Sequence, residues 1–539
     1  MHEKYVKSDR IERHIARTLR YLKKAVFSRL VITVVLVLAQ ILLIGESFYR
    51  LKDYWSGISV LLNLLSAVLV IYIVNRDQNP AFKLTWVIPI CAFPMLGALL
   101  YFWVETNIPT KGIKQEVSKR VAETKPYQKQ DERIRRQLNE LSCSMTSVSR
   151  YAEAVGNYPT FQNTGLTYFG LGEDAYQDML VELEKAEKYI FLEYFIISEG
   201  MMWNSILKIL KKKIAEGVEV KLLYDGVCAL YYLPSGYQKK MIAEGVDTRV
   251  FVPVIPIFST HQNNRDHRKI MVIDGKTAYT GGINLADEYI NHKSRLGHWK
   301  DNALKLQGDA VKTFTLMFLQ MWNVSNPENN NGYIPGEYLK YLPKTQDEEK
   351  EQRRYPNGGY IMPYGDGPNS VHNLAENVYL DMINRSNKYI HIMSPYFIVD
   401  HEMLTSLTYA AQRGNDVRMI LPHIPDKKIT YDVARTFYPF LLAAGVKIYE
   451  YTPGFIHAKT VVSDDNKAAV GSINMDFRSL YHHYECGVYL YLDPAVQEIE
   501  ADFQKTMMCS QEVTLEYYRA IPWYKRLVGY IIKLFAPLL

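Results

Sequence analysis

The chain has 539 residues, 48% of them hydrophobic and 22% charged, with a formal net charge of +6. That is enough apolar material for two medium domains plus membrane segments, which excludes a small binding module. Five cysteines, Cys91, Cys143, Cys228, Cys486 and Cys509, show no pairwise spacing and no C-x-x-C or zinc pattern, which excludes a disulfide scaffold and fits a reducing cytosolic setting.

Residues 1–29 form a basic segment, with nine Lys or Arg against three acidic residues. Three apolar runs follow, at 30–48, 55–74 and 84–104, each about long enough to cross ~30 Å of hydrocarbon as a helix. Residues 30–107 are therefore read as a membrane region of two to three hydrophobic helices. A cleaved signal peptide is the weaker alternative, because no small-x-small site follows the first run. The basic N-terminus and the basic stretch after residue 110 both favour the cytoplasmic side, which three complete spans cannot satisfy, so one segment is expected not to span. Pro89 and Pro94 interrupt the third run, while Gln40 and Glu46 mark the first, which makes either a candidate for a re-entrant or interfacial segment. Basic residues at both ends of the chain point to an anionic membrane surface more than to nucleic acid.

Residues 108–155 read as a charged, helical connector. Beyond it the chain repeats itself at an offset of about 200 residues, the size of a domain rather than of a solenoid repeat. Lys188-Tyr-Ile opens a strand-like run ending in Glu193-Tyr-Phe-Ile, and Lys388-Tyr-Ile opens one ending in Pro395-Tyr-Phe-Ile. A helical stretch then leads to Gly217-Val-Glu-Val-Lys in one copy and Gly414-Asn-Asp-Val-Arg in the other. The expected fold class is α/β, with two pseudo-symmetric lobes of mixed sheet and helix at 156–325 and 375–515. The segment 326–374, rich in Asn, Pro, Gly and charge, reads as the linker between them.

Each lobe carries a motif. The first reads HRKIMVIDGKTAYTGGIN from His267 to Asn284, and the second HAKTVVSDDNKAAVGSIN from His457 to Asn474. One H-x-K-x4-D would be weak evidence, but two copies with matching Gly-[Gly/Ser]-Ile-Asn tails are strong. A strand is expected to carry His and Lys on one face of the sheet, at His267 with Lys269 and at His457 with Lys459. Asp274 and Asp464 fall in the hairpin turns, where they read as structural, and the return strand brings Gly282 and Asn284, or Ser472 and Asn474, back toward the His. Asp301 and Glu485 each open a strand-like run 34 and 28 residues after the His of their own lobe. His261, His292, His298, His482 and His483 lie near the motifs without a paired copy and read as surface or supporting residues.

These two motifs resemble the paired HKD motifs of the phospholipase D superfamily. The stretch 79–103 is similar to the N-terminal membrane region of bacterial cardiolipin synthases, and the order of membrane region, two lobes and basic tail is similar to that family over nearly the full chain. The resemblance implies a catalytic set of His267, Lys269, Asp274, His457, Lys459 and Asp464. Asn284, Asn474, Ser472 and Gly282 would bind substrate, and Asp301 and Glu485 would hydrogen-bond the far ring nitrogens of the histidines. It places an active-site loop at YIMPYGDGPNS (360–370) and makes His267 the nucleophile.

The implied reaction is phosphatidyl transfer between two phosphatidylglycerol molecules, giving cardiolipin and glycerol through a phosphohistidine. It needs no metal, cofactor or nucleotide, and it would take place at a cell membrane with the catalytic lobes on the cytoplasmic side. The partners would be phosphatidylglycerol and cardiolipin in an anionic membrane, with no nucleic acid, and a homo-oligomer is compatible. A membrane-bound phospholipase D or phosphatidylserine synthase would share the site, as would an anchored nuclease, while two complete motifs argue against a catalytically inactive membrane scaffold. Residues 516–539 read as an amphipathic interfacial helix, with Lys525, Gly529 and Lys533 on one strip, Arg526 beside it, and Leu527, Ile531, Leu534 and Phe535 elsewhere; the alternative is a C-terminal helix packed on a lobe.

Overall fold

The computed structural model describes residues 55–105, 108–141, 143–253, 263–325, 337–342, 355, 358–370 and 372–538. The basic segment 1–29, the first apolar run 30–48, His261 and much of the expected linker lie outside the described residues. The chain divides into two units, residues 1–79 with 86–101, and residues 80–85 with 102–539.

In the first unit the second apolar run forms the helix Trp55–Val74. Leu69 and Ile73 pack with Ile90 and Tyr101, Arg76 donates to the Tyr101 hydroxyl at 3.0 Å, and Val60, Leu61, Leu64, Val68 and Ile71 are exposed. The third apolar run is not one helix: it is split into Pro80–Ala92 and Pro94–Glu105. Pro94 cannot donate its backbone nitrogen to the ladder, so the first helix ends before it. Among the described residues no helix is long and apolar enough to cross a membrane.

The second unit holds both lobes. Lobe 1 is a seven-stranded sheet in the order β1-β8-β6-β5-β2-β3-β4, built from β1 (Thr164–Phe169), β2 (Tyr189–Tyr194), β3 (Glu219–Asp225), β4 (Asp247–Phe251), β5 (Lys269–Ile273), β6 (Thr277–Gly281) and β8 (Ala303–Gly308). A short β7 (His298–Lys300) stands outside it. Strands β2, β3 and β4 run parallel, which requires crossovers, and the helices Met201–Ala215 and Tyr237–Ala243 supply them.

Lobe 2 repeats the plan with eight strands, β19-β13-β12-β10-β15-β16-β18-β9. Here β10 (Tyr389–Met393), β12 (Asp416–Pro422), β13 (Lys447–Tyr451), β15 (Thr460–Ser463), β16 (Lys467–Gly471) and β18 (Glu485–Tyr491) correspond to β2, β3, β4, β5, β6 and β8. The edges are β9 (Tyr360–Asp366) and β19 (Ser510–Val513), and outside the sheet β11 (Phe397–Ile398) pairs in parallel with β17 (Met475–Asp476). Residues 360–366, expected in the linker and active-site loop, are thus a fully buried strand paired antiparallel with β18. The connector also does more than connect: Ile134, Leu138, Met145, Val148 and Ala152 enter the main core on the apolar faces of their helices.

The lobes are joined by backbone. β14 (Gly454–Ile456), just ahead of His457, pairs in parallel with β7, just ahead of Asp301. The backbone nitrogen of His457 donates to the carbonyl of Lys300 at 2.7 Å, and that of His267 to the carbonyl of Tyr484 at 2.9 Å. Each histidine is therefore strung beside the strand that carries the other lobe's carboxylate.

At the C-terminus the helix Trp523–Lys533 docks on the helix Lys428–Arg435, with Gly529 so close to the Asp432 carbonyl that a Cβ would lie 2.6 Å from it. The Lys533 ammonium sits 3.5 Å above the Phe437 ring. The helix thus packs on the lobe through its Gly529–Lys533 strip, while Trp523, Leu527, Ile531, Leu534 and Phe535 face outward. Residues 80–85 belong to this unit too, with the Thr85 hydroxyl on the Leu534 carbonyl at 3.2 Å and the Phe82 ring against Phe477, Tyr481 and His482.

Candidate active site

The motif hairpins form where the sequence places them. Asp274 (φ 55) and Gly275 (φ 67) turn β5 into β6, and Asp464 (φ 57) and Asp465 (φ 59) turn β15 into β16. The Asp274 carboxylate accepts from the backbone nitrogens of Glu187, Lys188 and Tyr189 at 2.7–2.8 Å, and Asp464 does the same for Asn387, Lys388 and Tyr389 at 2.8–3.1 Å. Both tie the motif hairpin to the start of the neighbouring strand, so the third letter of each motif is structural and not part of the reacting set.

The histidines lie ahead of their strands rather than on them, in extended segments closed by the inter-lobe pairing. His267 Nδ1 lies 2.9 and 3.0 Å from the two oxygens of Glu485, and His457 Nδ1 lies 2.6 Å from Asp301 Oδ2. The carboxylates are those the sequence singled out, but they are exchanged: each supports the histidine of the opposite lobe. Lys269 and Lys459 each donate to the carbonyl of the histidine two residues back, and the Lys459 ammonium is 3.0 Å from His457 Nδ1. One chain of contacts joins the two imidazoles: Phe195 packs on His267, the adjoining Ile196 nitrogen donates to Asn284, and Asn284 donates to Tyr289, which packs on His457.

Protonation differs between the two sides. Burial, then the neighbouring lysines, hold both imidazoles below the ordinary histidine range, His457 at about 4 against the pull of Asp301. Burial alone would push the Asp301 carboxyl up, but His457 and Lys459 keep it below its usual value. Glu485 goes the other way, pushed up to about 8 by burial despite Lys269 and Ser472. Burial also brings Lys269 down to about 8 and Lys459 to about 7.

The tails of the motifs explain part of this difference. A Cβ at Gly282 would lie 2.0 Å from Asp301 Oδ1, so glycine there makes room for the carboxylate. At the equivalent position the Ser472 hydroxyl donates to Glu485 Oε2 and accepts from the Cys486 nitrogen at 3.0 Å. Gly282 and Ser472, expected on substrate, thus serve the two carboxylates. Asn284 is engaged, accepting from the Ile196 nitrogen at 3.0 Å and donating to the Tyr289 hydroxyl at 2.8 Å. Asn474 is buried and its Oδ1 has no hydrogen-bond partner.

Rings close the site. The His483 ring lies 5.1 Å from His267 and its Nδ1 is 3.6 Å from Glu485, while Trp299, at the same place in the other half, lies 5.4 Å from His457. Phe195 stands 4.9 Å from His267, and Tyr289 5.4 Å from His457. His483, read from sequence as a supporting or surface residue, is buried at the centre; its position two residues before Glu485, matching Trp299 before Asp301, was the available signal. His298 and His482 are held elsewhere, on the Tyr451 hydroxyl at 2.9 Å and the Pro537 carbonyl at 3.0 Å, and the His292 backbone nitrogen donates to the Asp287 carbonyl at 3.1 Å. The ligand atoms of His267, His483 and Glu485 lie within 4.8 Å of one another, the one grouping of metal-ligand type among the described residues.

A family model described as "Cardiolipin synthase, PLD-like domain" matches residues 179–322 and 379–507, covering both motif halves. The chain belongs to this family. A second model, described as "Phospholipase_D-nuclease N-terminal", matches residues 62–104. Among family members, an uncharacterised protein of Streptococcus mutans is 44% identical over 87% of this chain and 99% of its own length. A cardiolipin synthase of Halalkalibacterium halodurans is 31% identical over 93% of this chain and 99% of its own. A solved phosphatidylserine synthase of Haemophilus influenzae, 15% identical with a TM-score of 0.54, covers 73% of this chain and all of its own, which shows the two-lobed fold.

Proposed function

We propose that the protein is a cardiolipin synthase that transfers the phosphatidyl group of one phosphatidylglycerol to a glycerol hydroxyl of another, releasing glycerol. The observation that carries this reading is the crossed pair of His–carboxylate contacts, in a chain of the cardiolipin synthase family. Substitution at phosphorus wants a nucleophile and a leaving-group acid on opposite sides, and two imidazoles held from opposite lobes supply both. One Nε2 forms a bond to phosphorus as the P–O bond to glycerol breaks, and the other imidazole gives the departing oxygen its proton. The same imidazole then takes the proton of the incoming hydroxyl as the P–N bond breaks. The buried ammonium groups of Lys269 and Lys459 stabilise the charge that gathers on the phosphoryl oxygens.

The resemblance gives the attack to His267, whereas the protons of this site favour His457. An ionised Asp301 accepts Nδ1–H from His457 and leaves Nε2 with its lone pair, while the His267–Glu485 pair retains a proton to donate. We place the site at a bilayer surface. This is supported by the match at residues 62–104, by Phe82 packing on the segment that leads to His483, and by the outward apolar face of the C-terminal helix. The test is a denaturing quench at neutral to alkaline pH, where the acid-labile P–N bond survives, and mapping of the phosphorylated residue, with His267→Asn and His457→Asn alongside. Phosphate on 457 supports the assignment and phosphate on 267 reverses it; near-wild-type turnover in either variant would remove the two-histidine reading.

A further inference from the structure

His483 stands at the reacting centre without a task in the transfer. It is 7% exposed, and its Nδ1 makes no hydrogen bond among the described residues. A buried ring nitrogen left unpaired calls for an explanation. This one is turned toward Glu485, 3.6 Å from Oε1, and the same oxygen lies 2.9 Å from His267 Nδ1. The His483 and His267 rings lie side by side, 5.1 Å between centroids and 36° between planes. Two imidazole nitrogens thus converge on one carboxylate.

The spacing suits a cation better than a second hydrogen bond. At 3.6 Å the His483 nitrogen is beyond hydrogen-bond reach of the carboxylate. Tetrahedral zinc, with bonds of ~2.1 Å, sets neighbouring ligand atoms ~3.4 Å apart. The distances of 2.9 and 3.6 Å fall either side of that value, and all three ligand atoms lie within 4.8 Å of one another. Two imidazoles and one carboxylate are a zinc donor set that leaves a fourth position to water. An outer partner is in place too, since the Ser472 hydroxyl donates to Glu485 Oε2 and steadies the carboxylate. The internal repeat sharpens the point. On the other side the same three places hold His457, Trp299 and Asp301, and an indole is no metal ligand.

We propose that His267, His483 and Glu485 form an inhibitory site for Zn²⁺. The inference rests on the reading of His267 as one of the two reacting imidazoles and names a regulator of that site. The ion takes the place of the proton between His267 Nδ1 and Glu485, and that proton leaves to solvent. With metal on Nδ1 the ring can give up its Nε2 proton only by becoming an imidazolate, and Glu485 holds no proton to return to it. One half of the acid–base pair is then out of use. Mg²⁺ and Ca²⁺ prefer oxygen-rich shells, find a single carboxylate here, and do not compete.

The test uses the full chain in phosphatidylglycerol vesicles, with total turnover, cardiolipin plus phosphatidic acid, measured against free Zn²⁺ set by a chelator buffer. Counting both products makes the result independent of which alcohol accepts. Wild type is expected to lose activity and to regain it on added chelator, at free concentrations where Mg²⁺ and Ca²⁺ change nothing. His483→Phe keeps a ring against His267 and removes the ligand, and His483→Asn removes it with a smaller side chain. Losing an outer partner of a zinc ligand already costs ~10–100-fold in affinity, so losing a ligand should raise the half-inhibiting free Zn²⁺ by ~100-fold or more. Binding is read without turnover from Co²⁺ added to the full chain in detergent. Wild type should show the intense visible band of tetrahedral Co²⁺ at one equivalent, and both variants should lose it. Half-inhibition of the variants at the wild-type zinc concentration overturns the proposal, because the exposed Cys91 and Cys509 or the lipid would then hold the ion. A wild type without the cobalt band, or a band that survives in both variants, overturns it as well. A chain that shows the band but makes only phosphatidic acid keeps this site and loses the synthase reading.

Discussion

Asp301→Asn isolates the crossed support of His457. The substitution keeps shape, volume and the Oδ1 contact with the Asn302 nitrogen at 2.9 Å, but it removes the charge that lies 2.6 Å from His457 Nδ1. An amide there can donate to Nδ1, which favours the tautomer with the proton on Nε2, the wrong one for a base or nucleophile. In the transition state the His457 ring carries positive charge, and a fully buried carboxylate in direct contact is worth about 2–4 kcal/mol, or ~30- to 1,000-fold in rate. The assay is initial phosphatidyl transfer with two donors, phosphatidylglycerol and a phosphatidyl ester of p-nitrophenol, whose leaving group needs no acid. Asp301→Asn should reproduce the leaving-group dependence of His457→Asn at a thermal midpoint close to wild type. If it behaves instead like His267→Asn, or keeps more than a third of wild-type activity, the crossed pairing is wrong.

Glu485→Gln should abolish most activity yet stabilise the fold. A carboxyl raised from 4.5 to about 8 on folding contributes stability in full below about pH 4.5 and loses it as the pH rises toward 8, so the variant's gain in thermal midpoint should grow from pH 5 to pH 8, and a gain that shrinks would contradict the burial argument. Gly282→Ala forces a methyl group within 2.0 Å of Asp301 Oδ1 and should slow turnover at least as far as Asp301→Asn, whereas near-normal rates would show that the carboxylate can move aside freely. Trp523, 68% exposed on the outward face of the C-terminal helix, should be quenched by brominated phosphatidylglycerol in reconstituted protein. An equal quenching signal from Trp523→Phe would place that face in water.

The sequence disclosed the parts of this site but not their partners. A period-two pattern, turn chemistry and a duplicated motif locate hairpins and histidines, because those are local properties of the chain. Which carboxylate meets which histidine depends on β7 pairing with β14, a contact between residues 156 positions apart for Asp301 and His457, and no local rule encodes it. The repeat itself was misleading there, since it suggested that each half is self-sufficient. Ser472 and Gly282 differ only by a hydroxymethyl group in sequence, and their opposite effects on Glu485 and Asp301 emerge only once the carboxylates are in place. The C-terminal helix showed two faces by periodicity, but not which one the protein covers; Gly529, small enough to let the Asp432 carbonyl approach, decides that in the fold. Residues 360–366 carry turn-forming Gly and Pro among their apolar residues, so the edge strand they form was hidden by composition.

In the proposed reaction, both lobes and the crossed carboxylates serve one outcome: a covalent phosphatidyl group resolved by a lipid alcohol rather than by water. Water is present at ~55 M in bulk, so transfer wins only where an oriented hydroxyl has an effective molarity of ~10⁵ M or more. The direct measurement is purified full-length protein in phosphatidylglycerol bilayers, with cardiolipin, phosphatidic acid and free glycerol quantified together. The account predicts cardiolipin as the main product with about one glycerol released for each; phosphatidic acid as the main product would contradict it.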